Sequence, residues 1–401
     1  MQLQQSSVGR SGNYYLLLAV VFVGYLIFGV SENMKGPALP RMQEDFRLEE
    51  WQLGLLLAFN SIGFLLACSF AGRVVEAVGL RVACLLAFGF MAASGWLIGS
   101  AQGFVPFAGA FFFLYVWNGL LEIALAVLSA RLFTKNTGFM MNLSHFFYGL
   151  SSTGAPLAAT ALMGWNAGGG ELGWRGMYVV LLLTCALPML PALAAKFPRE
   201  AASPEEERTT WRSFARDKVA WCIVVLLAFG VTAELAVGGW LVNFLEKSYG
   251  WGSVRAAGML SAFFFCFTVA RLVLGPLTDR IGFVKSIVLF AGFSGACTCV
   301  GVWLGEPGAA LLALAGAGIA PVYPTVMAFL AKRYPRGTDA AIAFTVTTIG
   351  ILGIAGNLLI GAATDAFGYR AGYMLIGASA LGCAAVGLLL YRWLREEGRV
   401  I

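Results

Sequence analysis

The sequence predicts an all-α membrane protein of twelve transmembrane helices, arranged as two pseudo-symmetric six-helix bundles with both termini cytoplasmic. Three observations lead there. Charged residues are only 12% of the 401 and apolar ones 59%, whereas a soluble domain carries about a quarter charged. Apolar runs long enough to cross a hydrocarbon core, about 20 residues each, recur along the chain. A short motif also occurs twice. Gly72-Arg-Val-Val-Glu76-Ala-Val-Gly79 and Gly275-Pro-Leu-Thr-Asp279-Arg-Ile-Gly282 lie 203 residues apart, about half the chain. Such duplication marks membrane proteins built of two related halves that move against each other.

The first run, 14–39, is too long for a cleavable signal peptide and lacks a small-residue cleavage site. Spans at 51–71 and 80–101 flank the first copy of the motif. Span 104–132 ends at Arg131, 138–163 follows a short turn, and 175–195 follows Gly173-Trp-Arg175. Residues 196–218 hold Pro198, Pro204, Glu205-Glu-Glu207 and six basic residues, which suits a solvated linker. The domain reading is therefore 1–195, a cytoplasmic linker 196–218, and 219–401. The second half repeats the pattern with spans at 219–245, 256–277, 284–304, 307–331, 340–364 and 371–394. Two further echoes keep register with the first. Ala130-Arg-Leu-Phe133 returns as Ala331-Lys-Arg-Tyr334, and Gly173-Trp-Arg175 as Gly368-Tyr-Arg370.

The net charge of +6 does not point to nucleic acid, because its location follows the membrane. With the amino terminus inside, 19 of the 27 Lys and Arg fall in cytoplasmic segments and six in outer loops, as the positive-inside rule expects. All eight cysteines lie in apolar runs and read as small hydrophobes. No nucleophile–base set, metal-ligand cluster or phosphate loop is present in the sequence. The expectation is a non-enzyme with neither metal nor cofactor, a monomer whose partners are the bilayer, a small solute and a coupling ion.

The paired loop motif resembles that of the major facilitator superfamily, Gly-x-Leu-x-Asp-Arg-x-Gly-Arg, and the resemblance extends over nearly the whole chain. It is well matched from Gly275 to Gly282. In the first half Glu76 stands for the Asp, Ala77 for the Arg, and the basic residue is displaced to Arg81. Within the superfamily the chain looks most like the fucose–galactose–glucose:proton symporters and sodium–glucose transporter-like relatives. Asn142-Leu-Ser-His145-Phe-Phe-Tyr148 with Gly154-Ala-Pro156 resembles their fifth span, and Gly119-Leu-Leu-Glu122 their fourth. Gly230 to Glu234 with Trp240 resembles the seventh, Val269-Ala-Arg271 the eighth, and Pro321-Val-Tyr-Pro324 the tenth. Where fucose-type symporters carry an acid in span one, this chain has Gly36, with Glu32 and Lys35 nearby.

Ionisable groups inside the bilayer are costly and mark functional sites by default. Asn118, Glu122 and Ser129 share one face of span four, and Asn142, His145 and Tyr148 share one face of span five. These stripes either line a cavity or form interhelical hydrogen bonds. Read as a cavity, Glu122 carries a coupling proton and His145 tunes it. Glu234, mid-span between Gly230 and Gly238, is the solute anchor of the second half. Trp117 and Trp240 offer faces on which a sugar ring could stack, with packing the alternative. Asn60, Tyr323 and Asn357 complete the solute candidates. Glu32 and Lys35, three apart on one helix face, either contact solute or leave Lys35 snorkelling outward. Gating falls to Gly72, Glu76 and Arg131 in the first half, and to Arg271, Gly275, Asp279, Arg280, Lys332 and Arg333 in the second.

Together these imply a secondary active transporter working by alternating access in a plasma membrane, a bacterial inner membrane being expected. Proton-coupled uptake of a hexose or related small polar solute is the leading reading, with sodium as the other ion. A proton-driven exporter of drugs or metabolites and an uncoupled lipid-moving or receptor-like protein are the alternatives.

Overall fold

In the computed structural model, residues 2–133, 137–166, 168–198, 214–334 and 338–396 are described. The side chains of Asn142 and Asp279 lie outside the description. Among these residues the chain is almost wholly helical. The first part holds α1 (Gln2–Asn33), α2 (Lys35–Phe46), α3 (Glu50–Val78), α4 (Leu80–Ser100), α5 (Phe104–Leu132), α6 (Thr137–Met163), α7 (Gly173–Leu183) and α8 (Met189–Ala194). The second part holds α9 (Lys218–Tyr249), α10 (Ser253–Ile281), α11 (Phe283–Leu304), α12 (Ala309–Ile319), α13 (Val322–Arg333), α14 (Thr338–Phe367) and α15 (Tyr369–Glu396). Eleven stretches are long and apolar enough to cross a membrane, and the 27-residue α6 supplies the twelfth helix of the series. The protein is a multi-pass membrane protein.

Three spans that read as unbroken in the sequence are interrupted, each for the same reason. Proline has no N–H to give the carbonyl four residues earlier, and its ring crowds that carbonyl. Pro37 acts on Asn33, where α1 gives way to α2. Pro188 and Pro191 act on Thr184 and Leu187, between α7 and α8. Pro321 and Pro324 act on Ala317 and Ala320, between α12 and α13.

The repeated motif has a repeated backbone. Gly79 sits at φ 79, ψ 153 and Gly282 at φ 95, ψ 141, a region closed to residues with a Cβ. Each donates its N–H back to the preceding helix, to Val75 O (2.9 Å) and Thr278 O (3.0 Å). Each turns the chain directly into the next span. Gly173 and Gly368, from another echo, also take positive φ. The duplication seen in the letters is thus a duplication of corners.

Contacts divide the described chain into two units. In the first, α1 packs against α5 and α6, and α4 against α5 and α7. In the second, α15 packs on α9 and α11, α12 on α10 and α11, and α14 on α9. Gln43–Ala58, the end of α2 and the start of α3, groups with the second unit. There Gly54 and Gly361 let α3 and α14 touch along their backbones. A Cβ on Gly54 would lie 2.7 Å from the carbonyl oxygen of Asn357, and one on Gly361 2.8 Å from that of Glu50. Most of the expected linker, 196–218, lies outside the described residues. At its near end Asn13 Nδ2 donates to Lys196 O (3.0 Å) and its Oδ1 accepts from Lys196 N (2.5 Å). At its far end Asp217 caps α9 by accepting from Val219 N (2.8 Å), and also accepts from the Tyr334 hydroxyl (2.5 Å).

Candidate functional site

In the first unit the polar residues collect at the α1–α2 break. Glu32 and Lys35 stand on either side of it and form an ion pair. The negative end of α1 favours the ammonium, and the positive end of α2 favours the carboxylate. Lys35 Nζ also donates to the Tyr115 hydroxyl (2.9 Å) and lies 4.9 Å from the centre of its ring. Asn118 Nδ2 donates to Glu32 Oε2 (3.3 Å), and its Oδ1 accepts from Ser31 Oγ (2.8 Å). Lys35 is only 8% exposed, so it turns into the bundle and does not snorkel. The pair is closed and neutral.

Glu122 lies one turn beyond Asn118 on α5 and is partly open. It makes no hydrogen bond or ion pair with a described residue; its electrostatic neighbours are Tyr25, Cys68 and Glu32. His145, expected to tune it, lies on α6; α1 packs on both α5 and α6, while those two scarcely meet. His145 lies against Tyr25, ring centres 5.3 Å apart. Tyr148 packs on Phe28 (5.3 Å), and Asn33 Nδ2 ties α1 to α6 through Ser152 Oγ (2.9 Å). Asn142 lies outside the described side chains. Trp117 stacks one face on Phe90 at 4.3 Å, so a packing neighbour occupies a surface expected for solute. Asn60 is buried, with both polar side-chain atoms unpartnered.

In the second unit Glu234 on α9 meets Arg271 on α10, with Oε1 3.4 Å from a terminal guanidinium nitrogen. The other carboxylate oxygen has no hydrogen bond to a described residue. Arg271 was expected at the gate beside Asp279; it is turned to Glu234, where a buried carboxylate needs a counter-charge. Its Nε donates to Ala320 O (3.1 Å), and its guanidinium lies over Phe267 at 4.3 Å. Trp240 Nε1 donates to Asn357 Oδ1 (3.3 Å), which brings together two solute candidates. Tyr323 begins α13 and is half-buried.

Of the gate candidates with described side chains, four are exposed and four are half-buried. Glu76 and Arg280 face outward. A Cβ on Gly72 or Gly275 would meet nothing within 4 Å. Lys332 lies over Phe283 (5.5 Å) and Arg333 over Tyr334 (6.0 Å). The Asp279 side chain lies outside the description.

Several polar residues escaped the sequence reading. Tyr25 falls seven before Glu32 on α1, and Tyr115 at helical spacing with Asn118 and Glu122 on α5, a signal that was available. Glu50 gave none. It reads as a surface acid at a span boundary, yet it is 6% exposed. Its carboxylate accepts from Gln43 Nε2 (2.5 Å), Asn243 Nδ2 (3.0 Å) and the Tyr369 hydroxyl (2.7 Å).

Two chemical capacities result. Glu122 is a partly open carboxylate without a cation, able to take a proton, because a bare charge in this setting is costly. Glu234 has one free oxygen able to accept a hydroxyl beside a committed guanidinium.

The profile of the Major Facilitator Superfamily matches residues 21–351 and, overlapping, 256–400. An uncharacterized transporter of this type from Pseudomonas aeruginosa is 27% identical, with 94% of this chain and 92% of that protein covered. The L-fucose-proton symporter of Escherichia coli is 21% identical, with 85% of each chain covered. A crystal structure of a variant of the E. coli fucose:proton symporter superposes with a TM-score of 0.67 at 17% identity, covering 94% of this chain and 99% of that one.

Proposed function

The chain belongs to the Major Facilitator Superfamily, and from that premise we propose that it takes up a neutral, hydroxyl-rich solute, a hexose or related sugar, driven by protons. The reading places residues 1–195 and 219–401 as the two moving halves, with 196–218 joining them on the cytoplasmic side of a bacterial inner membrane. Sugar:proton symport in a relative supports it.

One observation carries the reading: the pattern of charge. The Glu32–Lys35 pair cancels within the first unit and the Glu234–Arg271 pair within the second. Among the described residues Glu122 has no cation beside it, and the buried Glu50 is held by neutral donors alone. An anionic solute would need an uncommitted cation, and both of these are committed. A neutral polyol needs strong acceptors, and hydrogen bonds to a carboxylate are about twice as strong as neutral ones. Glu234 is the acceptor, with Trp240 and Asn357 beside it on the same unit. Glu122 takes the proton, which cancels its own charge before the site changes its exposure.

The test is uptake into proteoliposomes under an imposed inward proton gradient, with labelled hexoses, pentoses, amino acids and organic acids. Accumulation of a sugar, lost on collapsing the gradient and indifferent to replacing sodium by choline, is the expected result. Accumulation of an organic acid but no sugar overturns the reading.

A further inference from the structure

We propose that Arg271 is a positioning residue that ties the occupancy of Glu234 to the break in the tenth span. The inference rests on the reading of Glu234 as solute anchor. Its geometry lies wholly within the second unit.

The break leaves a debt that Arg271 settles. In a continuous helix the Ala320 carbonyl would accept from the N–H of residue 324. Residue 324 is proline and has none. Ala320 is fully buried, and within a bilayer an orphaned carbonyl is not rescued by bulk water. Arg271 Nε supplies the missing donor at 3.1 Å. A terminal nitrogen of the same guanidinium meets Glu234 at 3.4 Å, and its face rests on Phe267, one turn earlier on α10. One rigid, planar group therefore holds both a main-chain elbow and a solute-binding carboxylate. Lysine could not do this, because its single nitrogen offers no fixed fork.

The two attachments are unequal. The contact to Glu234 is long and single, not the bidentate fork that makes such pairs strong. Hydroxyls of a bound solute can replace it at the carboxylate, while the Ala320 carbonyl, denied an N–H by Pro324, keeps Arg271 Nε as its donor. Solute binding should then release the Glu234 end and keep the Ala320 end. The parts flanking the elbow are also unequal. Above it α12 is locked by glycine contacts. A Cβ on Gly318 would lie 2.6 Å from Phe290 O and 2.7 Å from Ser294 N. Movement of the guanidinium is therefore passed to α13, which carries Tyr323 and ends at Lys332 and Arg333. A solute event at Glu234 reaches the far end of the tenth span through Arg271.

The experiment is amide hydrogen exchange of the full-length protein in nanodiscs, read over residues 316–334. Arg271→Gln removes the fork and should raise exchange about tenfold, as expected for loss of a charge-assisted hydrogen bond. Pro324→Ala restores an N–H to Ala320, and in that background Arg271→Gln should change exchange little. Glu234→Gln should alter exchange in the otherwise unchanged protein and add nothing once Arg271 is replaced. A general structural role for Arg271 would not produce that dependence on Pro324 and Glu234. Arg271→Lys keeps the charge and covers the case in which the glutamine variant fails to fold; it should resemble glutamine, not arginine. Additive effects of Arg271→Gln and Pro324→Ala, or of Arg271→Gln and Glu234→Gln, overturn the proposal. These arms use no solute. Sugar uptake that fails while they hold refutes the solute assignment and leaves the mechanical link standing.

Discussion

Asp365, near the end of α14, caps the first turn of α3 from more than 300 residues away: its two carboxylate oxygens accept from the backbone N–H of Glu50 and of Trp51, each at 3.0 Å. The first N–H groups of a helix have no partner within it. Here both partners come from one distant side chain. Asp365→Ala should cost roughly 0.5–2 kcal/mol, the usual range for a lost cap, with Asp365→Asn intermediate because its single carbonyl oxygen cannot replace two. Thermal unfolding in detergent measures this, and an alanine variant as stable as the parent refutes it.

Lys35 and Glu32 should show strong non-additivity. Removing one partner of a buried pair leaves an uncompensated charge, at about 3–5 kcal/mol, whereas removing both can be nearly neutral. Lys35→Met alone should lower the yield of monodisperse protein, and Glu32→Gln combined with Lys35→Met should restore much of it. Size-exclusion profiles of the three variants decide the matter. A double variant worse than either single one would contradict a closed, cancelling pair.

Glu122→Gln should bind and exchange solute yet fail to concentrate it, since the amide permanently mimics the protonated acid. Counterflow and gradient-driven accumulation, measured on the same vesicles, separate the two. Accumulation at the parental proton stoichiometry would reduce Glu122 to a structural group.

Tyr25 should be the intermediary between His145 and Glu122. Tyr25→Phe and His145→Ala are each expected to displace the pH profile of uptake in the same direction, and the double variant no further, the signature of residues acting in series. A silent Tyr25→Phe beside an effective His145→Ala would indicate a direct contact between His145 and Glu122 instead.

Tyr334 sits beyond the tenth span, and burial first, then its hydrogen bond to Asp217, raises its phenol above the ordinary value. A folded pKa above the unfolded one means the interaction contributes fully below about pH 10 and is lost only as pH rises past it. Tyr334→Phe should therefore lower stability by about 1 kcal/mol, roughly the net worth of one hydrogen bond, and by the same amount at pH 6 and pH 8. Thermal midpoints at the two pH values check this.

The repeated corners were legible because the motif is written twice in the letters. Gly79 and Gly282 were singled out by spacing and share a backbone that only glycine adopts readily. The prolines were equally visible, but an apolar run looks continuous whether or not a proline has broken it, so three spans read as straight. The order in which helices pack left no local trace. Adjacency in sequence gave no sign that α1 packs on the helices of both Glu122 and His145. Glu50 was hidden for a related reason: its partners Gln43, Asn243 and Tyr369 come from three separate helices.

The neutrality of the two elbows has an electrical consequence. The α1–α2 break carries Glu32 with Lys35, and the α12–α13 break is held by Arg271 with Glu234. Bending at either elbow displaces a dipole but no net charge through the membrane field. A unit charge moved across 100 mV corresponds to about 2.3 kcal/mol, and these hinges are shielded from that force. On the proposed reading, voltage would bear on the cycle chiefly at Glu122, charged when empty and neutral when it holds a proton. The elbows would then be insulated, and the membrane potential would act on the coupling ion itself.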